Sequence, residues 1–207
     1  MDSDHRRGGI EVITGPMFAG KSEELMRRVR RATIAGQQVV VVHHALDDRR
    51  GVGAVSSHAG GRIPAHAVAG AADLQRLVTG QPESEPAPAT ARSDVTLETT
   101  AVDLVAVDEA QFFGEDVVPV VVDLADRGVT VVVSGLCLTF DDQPFEPVPS
   151  LMACAESVTK LLAVCAVCGA DAPFHRRTSA GVGNALASSR DHVGGGDLYQ
   201  ARCRRHR

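Results

Sequence analysis

The stretch Gly15-Pro16-Met17-Phe18-Ala19-Gly20-Lys21-Ser22 constrains the surrounding fold more than any other part of the chain, because it fits the pattern G-x-x-x-x-G-K-[ST] throughout. That pattern works as a turn joining a strand to a helix. Both neighbours are present: Ile10-Glu11-Val12-Ile13 precedes it as an apolar run, and Glu23-Glu24-Leu25-Met26-Arg27-Arg28-Val29 follows with apolar residues at helical spacing. The glycines let successive backbone N–H groups converge at the positive end of the helix, which makes the turn a cradle for a phosphate chain. Lys21 then reaches the outer phosphates and Ser22 holds Mg2+, so a nucleoside triphosphate is the expected ligand. Of the 21 basic residues only Lys21 and Lys160 are lysines, so arginine is the default cation here. A compact ammonium fits inside such a cradle where a planar guanidinium does not.

The rest of the chain supplies the sheet that this turn requires. Val39-Val40-Val41-Val42 follows Gly36 as a continuous apolar run, and Val129-Thr130-Val131-Val132-Val133 is another. Val102-Asp103-Leu104-Val105-Ala106-Val107 ends in Asp108-Glu109, with helical patterns over Val117–Ala125 and around Ala71–Val78. Runs without alternation are those of strands buried on both sides, which predicts an α/β fold of the P-loop NTPase type: a parallel sheet with helices on both faces. Residues 43–66 are expected to form a long loop, and the proline-rich stretch from Gly80 to Ala91 a flexible insertion. Beyond Lys160 the texture changes to short glycine-punctuated pieces. The predicted division is therefore a kinase-type domain over 1–160 and a small metal-held module over 161–207.

No apolar run approaches a membrane span and the N-terminus lacks a signal-peptide core, which points to the cytoplasm and away from membranes. The net charge of -5 opposes a nucleic-acid footprint, although Arg202, Arg204, Arg205 and Arg207 form a local basic cluster. Aromatic residues are few, one Tyr and six Phe, and all lie in or beside candidate motifs, an arrangement suited to holding a flat base.

Two further constellations carry chemistry. A carboxylate at the C-terminal end of a buried strand faces the phosphates across the crevice and holds Mg2+, directly or through water, the role assigned to Asp108, which leaves Glu109 to accept the proton of an attacking hydroxyl or to orient it. Without the upstream turn, such a pair would more simply cap a helix. Cys165-Ala166-Val167-Cys168 and Cys203-Arg204-Arg205-His206 then give three sulfurs and one nitrogen at C-x-x-[CH] spacing, a closed set for structural zinc. The 34 residues between Cys168 and Cys203 would form a loop fastened at both ends. Within it, Val193-Gly194-Gly195-Gly196-Asp197-Leu198-Tyr199 combines close-approach glycines with the single tyrosine.

The ordered set Gly15–Ser22, Asp108-Glu109-Ala110-Gln111-Phe112-Phe113, Phe140 with Pro144-Phe145, Cys165/Cys168 and Gly194-Gly195 with Asp197 and Tyr199 resembles the type II thymidine kinases from about residue 9 to the C-terminus. The resemblance implies γ-phosphoryl transfer from ATP to the 5′-hydroxyl of thymidine, with Glu109 as base and Lys21, Ser22 and Asp108 as phosphate and Mg2+ groups. It places Met17, Phe112, Leu136, Phe140 and Tyr199 around the thymine, main chain near Val193, Gly194 and Gly195 against the base, Arg177 near the start of a zinc-held lasso, and Asp47 and Arg49 close to the phosphates. It also implies a homotetramer. Three positions depart from the family pattern: Cys137 for a common Asp, His175 for a common Thr, and His206 for a fourth Cys. The alternatives are a nucleoside monophosphate kinase, whose cysteine-held lid would lie mid-chain, and a non-catalytic ATP-binding regulator gripping nucleic acid with its basic C-terminus.

Overall fold

A computed structural model of the chain describes residues 8–46, 53–56, 61–80, 102–178 and 198–207. Strand β1 (Gly9–Thr14) enters the phosphate-type turn, and helix α1 (Lys21–Ile34) leaves it. The turn needs glycine at both ends. Gly15 has φ 149°, and a Cβ there would meet the Leu161 carbonyl oxygen at 2.4 Å, while Gly20, the residue before α1, is left-handed at φ 83°. There follow β2 (Val39–His44), β3 (Ala54–Ser56), β4 (Arg62–Pro64), β5 (His66–Val68), α2 (Ala71–Thr79), β6 (Leu104–Asp108), α3 (Val117–Asp126), β7 (Thr130–Gly135), α4 (Val148–Cys154) and β8 (Ser157–Lys160).

Six of these strands form one sheet in the order β5-β2-β6-β7-β1-β8, and every pairing in it is parallel. From β1 the chain crosses to β2, two positions beyond β7, whereas from β7 it crosses β1 to reach β8. Connections that depart toward opposite edges open a crevice at the C-terminal ends of β1 and β7. The turn after Thr14 sits at that crevice.

The valine runs are explained by what covers them. On one face Ile13, Val41, Leu104, Ala106 and Val132 pack with Leu25, Met26, Val29 and Ala32 of α1. On the other, Val12, Val42, Val105, Val107 and Val133 pack with Leu74, Val117, Val121, Leu124, Val148 and Leu151 of the remaining helices. In β2, β6 and β7 residues of both parities are buried, so these strands do not alternate.

Some elements were not anticipated. The expected loop over 43–66 contains the antiparallel pair β3–β4, and the last turn of chain before α2 supplies β5 at the sheet edge. Three-residue strands such as Arg62-Ile63-Pro64 are too short to show a period. Helix α4 was hidden by its prolines, which lie at the helix start where a missing N–H costs nothing. Strand β8 is a largely exposed edge strand with one apolar residue, Val158, and so lacks the buried-strand signature. The proline-rich insertion lies outside the described residues.

After Lys160 come two small antiparallel sheets, β9 (Ala163–Val164) with β10 (Asp171–Ala172), and β11 (Phe174–Arg177) with β12 (Tyr199–Arg202). They share a miniature core of Ala163, Cys165, Ala172, Ala201 and Cys203, against which Ala19 of the phosphate turn packs. The Leu161 N–H donates to the Thr14 carbonyl at 2.7 Å. This segment is therefore docked on the turn itself. Among the described residues, no helix is long and apolar enough to cross a membrane.

Candidate active site

Asp108 is the last residue of β6, and its buried carboxylate is met from two sides. Ser134 of β7 donates its hydroxyl to Oδ1 at 2.8 Å, and Ser22 at the start of α1 reaches the same oxygen at 3.5 Å. The serine of the phosphate turn and the strand-end carboxylate thus face each other across the crevice. Burial first, and then the neighbouring Glu109 charge, push the Asp108 carboxyl up to about 6, with the two serine hydroxyls opposing. A buried carboxylate beside a hydroxyl is a hard oxygen donor set, and it fits Mg2+.

Lys21 folds back over its own loop and donates Nζ to the Pro16 carbonyl at 2.9 Å. Phe18 adopts φ 67° and is 40% exposed, so the loop interior is left to backbone groups. Met17 and Ala19 flank it and are partly buried.

Glu109 follows Asp108 in a left-handed conformation, φ 51° and ψ 47°, and leads into a short 3-10 turn over Ala110–Phe112. Its side chain makes no capping bond to that turn, so the helix-cap explanation of the acidic pair does not apply. Instead Gln111 Nε2 donates to Glu109 Oε2 at 2.5 Å, and Gln111 Oε1 accepts from the Leu136 N–H at 3.1 Å. Sequence reasoning gave Gln111 no role. A polar residue two positions from an acid has no signature until its burial is known.

The residues expected around a base are brought together only in part. Phe140 and Tyr199 lie with ring centroids 6.2 Å apart, and His175 meets Tyr199 edge-on at 5.9 Å. Phe112 lies 6.4 Å from His44. Arg177 pairs in register with Tyr199 at the end of β11. Arg176 anchors the Phe140 segment, donating to the Phe140 carbonyl at 2.5 Å and to Asp142 Oδ1 at 3.0 Å. Other rings serve packing: Phe113 and Phe145 are buried, and Phe174 lies beneath Arg204 and Arg207 at 5.1 and 5.0 Å. Asp47, Arg49, Val193, Gly194 and Gly195 lie outside the described residues.

Cys165, Cys168, Cys203 and His206 bring one ligand atom each to within 4.8 Å of one another, and all three cysteines are free. Burial raises the Cys165 thiol, but N–H groups of Cys203, Val167 and Cys168 and the His206 ring bring it down to about 5. A thiolate-forming set of three sulfurs and one imidazole fits zinc, and four protein donors leave no open position. His206 supplies the fourth donor, as its spacing from Cys203 predicts. The arginines between and beside these ligands, Arg204 and Arg207, are engaged with Phe174, and Arg207 lies 3.7 Å from Asp142.

A phosphate turn, an apposed Ser–Asp pair and an adjacent second carboxylate held by Gln111 at the mouth of a parallel sheet define a phosphotransferase of the P-loop class. A family model described as thymidine kinase matches residues 8–207. The thymidine kinase of Deinococcus deserti is 44% identical over 206 residues, spanning 100% of this chain and 97% of that protein. That of Bdellovibrio bacteriovorus is 42% identical over 202 residues, 98% of this chain and 86% of the relative, and that of Deinococcus radiodurans 45% over 179 residues, 86% and 80% respectively. The chain belongs to the thymidine kinase family.

His175 offers a test of the site's electrostatics. Burial, and then the Lys21 and Arg176 charges, hold its pKa down from 6.5 to about 4, with Asp142 opposing. The folded ring stays neutral where the unfolded chain takes up a proton, so this contribution is complete above pH 6.5 and is lost as pH falls toward 4. Replacing His175 with Thr should reduce the stability lost between pH 7 and pH 4 by as much as about 3 kcal/mol, measured by urea unfolding at both pH values. Equal losses in the two proteins would contradict the assignment.

Proposed function

We propose that this chain transfers the γ-phosphoryl group of ATP to the 5′-hydroxyl of thymidine, giving thymidine monophosphate. The observation that carries the reading is the approach of Ser22 Oγ to Asp108 Oδ1, with Glu109 next in the chain. Phosphoryl transfer passes through a loose transition state in which little covalent chemistry falls to the protein, so positioning and charge dominate. The backbone N–H groups of Gly15–Ser22 and the Lys21 ammonium hold the triphosphate, and Lys21 takes up negative charge as it moves toward the leaving diphosphate. Mg2+, held by Ser22 and Asp108, would supply further neutralisation of the phosphate oxygens when bound. Glu109 accepts the 5′-hydroxyl proton late in the reaction, for which an ordinary carboxylate is basic enough.

Met17, Phe112, Leu136, Phe140 and Tyr199 are the side chains we assign to the thymine, with Val193, Gly194 and Gly195 offering main-chain groups and Arg177 the start of the lasso. Asp47 and Arg49 are assigned to the phosphate side. Cys165, Cys168, Cys203 and His206 would hold zinc, which would fasten the base of the lasso beside the phosphate turn, in accord with the packing of Ala19 against that module. The homotetramer implied by the family resemblance belongs to the same reading. A nucleic-acid-gripping regulator is disfavoured, because Arg204 and Arg207 are engaged with Phe174.

The direct test incubates the protein with ATP and a panel of nucleosides and scores the phosphorylated product. Thymidine is the expected acceptor, and Glu109→Gln should lower its turnover by about 100-fold or more while ATP binding persists. Undiminished turnover in that variant would remove Glu109 as base. Removal of zinc by a chelator should raise the thymidine KM before the sheet unfolds. The idea fails if KM stays constant until global unfolding.

A further inference from the structure

Gln111 is 5% exposed, and a buried amide has to satisfy both of its ends. Its Nε2 donates to Glu109 Oε2 at 2.5 Å, and its Oε1 accepts from the Leu136 N–H at 3.1 Å. A primary amide does both, with its donor and its acceptor on one planar group. A carboxylate here would add a third negative charge beside Asp108 and Glu109, and a lysine could not accept from Leu136.

The surroundings are cut to fit this amide. A Cβ on Gly135, the last residue of β7, would lie 2.9 Å from Gln111 Oε1 and 2.7 Å from Val148 Cγ2. Glycine is needed at that position for space. The residue that the amide grips, Glu109, sits at φ 51°, a left-handed conformation that is uncommon outside glycine and is sustained only where its surroundings hold it. Its long side chain would otherwise sample several rotamers at the mouth of the crevice.

We infer that Gln111 is a positioning residue for phosphoryl transfer, holding the Glu109 carboxylate in one orientation and tying it to the main chain at the end of β7. The inference rests on the reading of Glu109 as the acceptor-side base. Gln111 acts through Glu109, and the same amide fixes Leu136, assigned to the thymine pocket. The base and one wall of that pocket are therefore held as a single unit.

The test is a double-mutant cycle on thymidine phosphorylation, comparing the unaltered chain, Glu109→Ala, Gln111→Met and the double variant, with kcat and the ATP KM read for each. Misplacing a reacting group by about 1 Å costs on the order of 100-fold, so Gln111→Met should lower kcat by about 10- to 100-fold and leave the ATP KM within about twofold. In the Glu109→Ala background the same substitution should cost nothing further, because the group it positions is gone. Gln111→Glu keeps the volume and the acceptor for Leu136 but replaces the donor to Glu109 with a like charge, and it serves in the same cycle should the methionine variant not fold. Equal losses in both backgrounds, or an unchanged kcat in the Gln111 variants, would overturn the inference. Full activity of Glu109→Ala alone would instead overturn the base assignment on which it rests.

Discussion

The site depends on the parallel register of β6, β7 and β1, which brings Asp108, Ser134 and the turn after Thr14 to one end of the sheet. Val107 pairs with Val133 and Thr14 with Gly135, so the strands stop nearly level and their next residues face a common crevice. The Thr14 hydroxyl donates to the Gly135 carbonyl at 3.0 Å and closes the β1 side. A slip of one residue in β6 would turn Asp108 to the opposite face and replace it with Val107 or Glu109. The same slip would carry Val105 and Val107 into the α1 core and Leu104 and Ala106 into the opposite one, so both close-packed cores would have to repack. Packing far from the phosphates thus decides where the carboxylate stands.

That placement has an electrostatic cost. Asp108 is buried beside Glu109, and both effects disfavour its charge, so its carboxyl rises to about 6. Two serine hydroxyls offset part of this. The remainder suits a site that takes up a cation, since a divalent ion restores the charged form that burial penalises. Glu109 is treated differently: the left-handed backbone carries its side chain out of the serine pair and into the grip of a neutral amide. Adjacent carboxylates therefore acquire separate surroundings through one backbone conformation and one glutamine.

Much of this was legible in the sequence because the chemistry required contiguous residues. The phosphate turn, Asp108-Glu109 and the two C-x-x-[CH] pairs each carry their spacing within a few positions, and the long valine runs announce strands covered on both sides. What stayed hidden was what depends on contacts across the fold. Gln111 gains its meaning from Leu136 and from the missing Cβ of Gly135. Arg176 gains its meaning from Asp142 and the Phe140 carbonyl, and Arg204 and Arg207 gain theirs from Phe174. The short strands β3, β4 and β5 and the edge strand β8 bury too few apolar residues to leave a periodic trace. Phe113 and Phe145, which lie beside the motifs in the sequence, are buried in the fold.

The central claim is that the phosphate turn and Glu109 flank one reaction path between a triphosphate and a nucleoside hydroxyl. Its most direct test is a crystal structure with a ligand in which a chain of phosphates joins adenosine to the 5′-oxygen of thymidine. The account predicts phosphates seated on the N–H groups of Gly15–Ser22, and the thymidine 5′-oxygen within about 2.6–3.2 Å of the Glu109 carboxylate. Phosphates bound away from that turn, or a 5′-oxygen directed away from Glu109 with the turn filled, would contradict it.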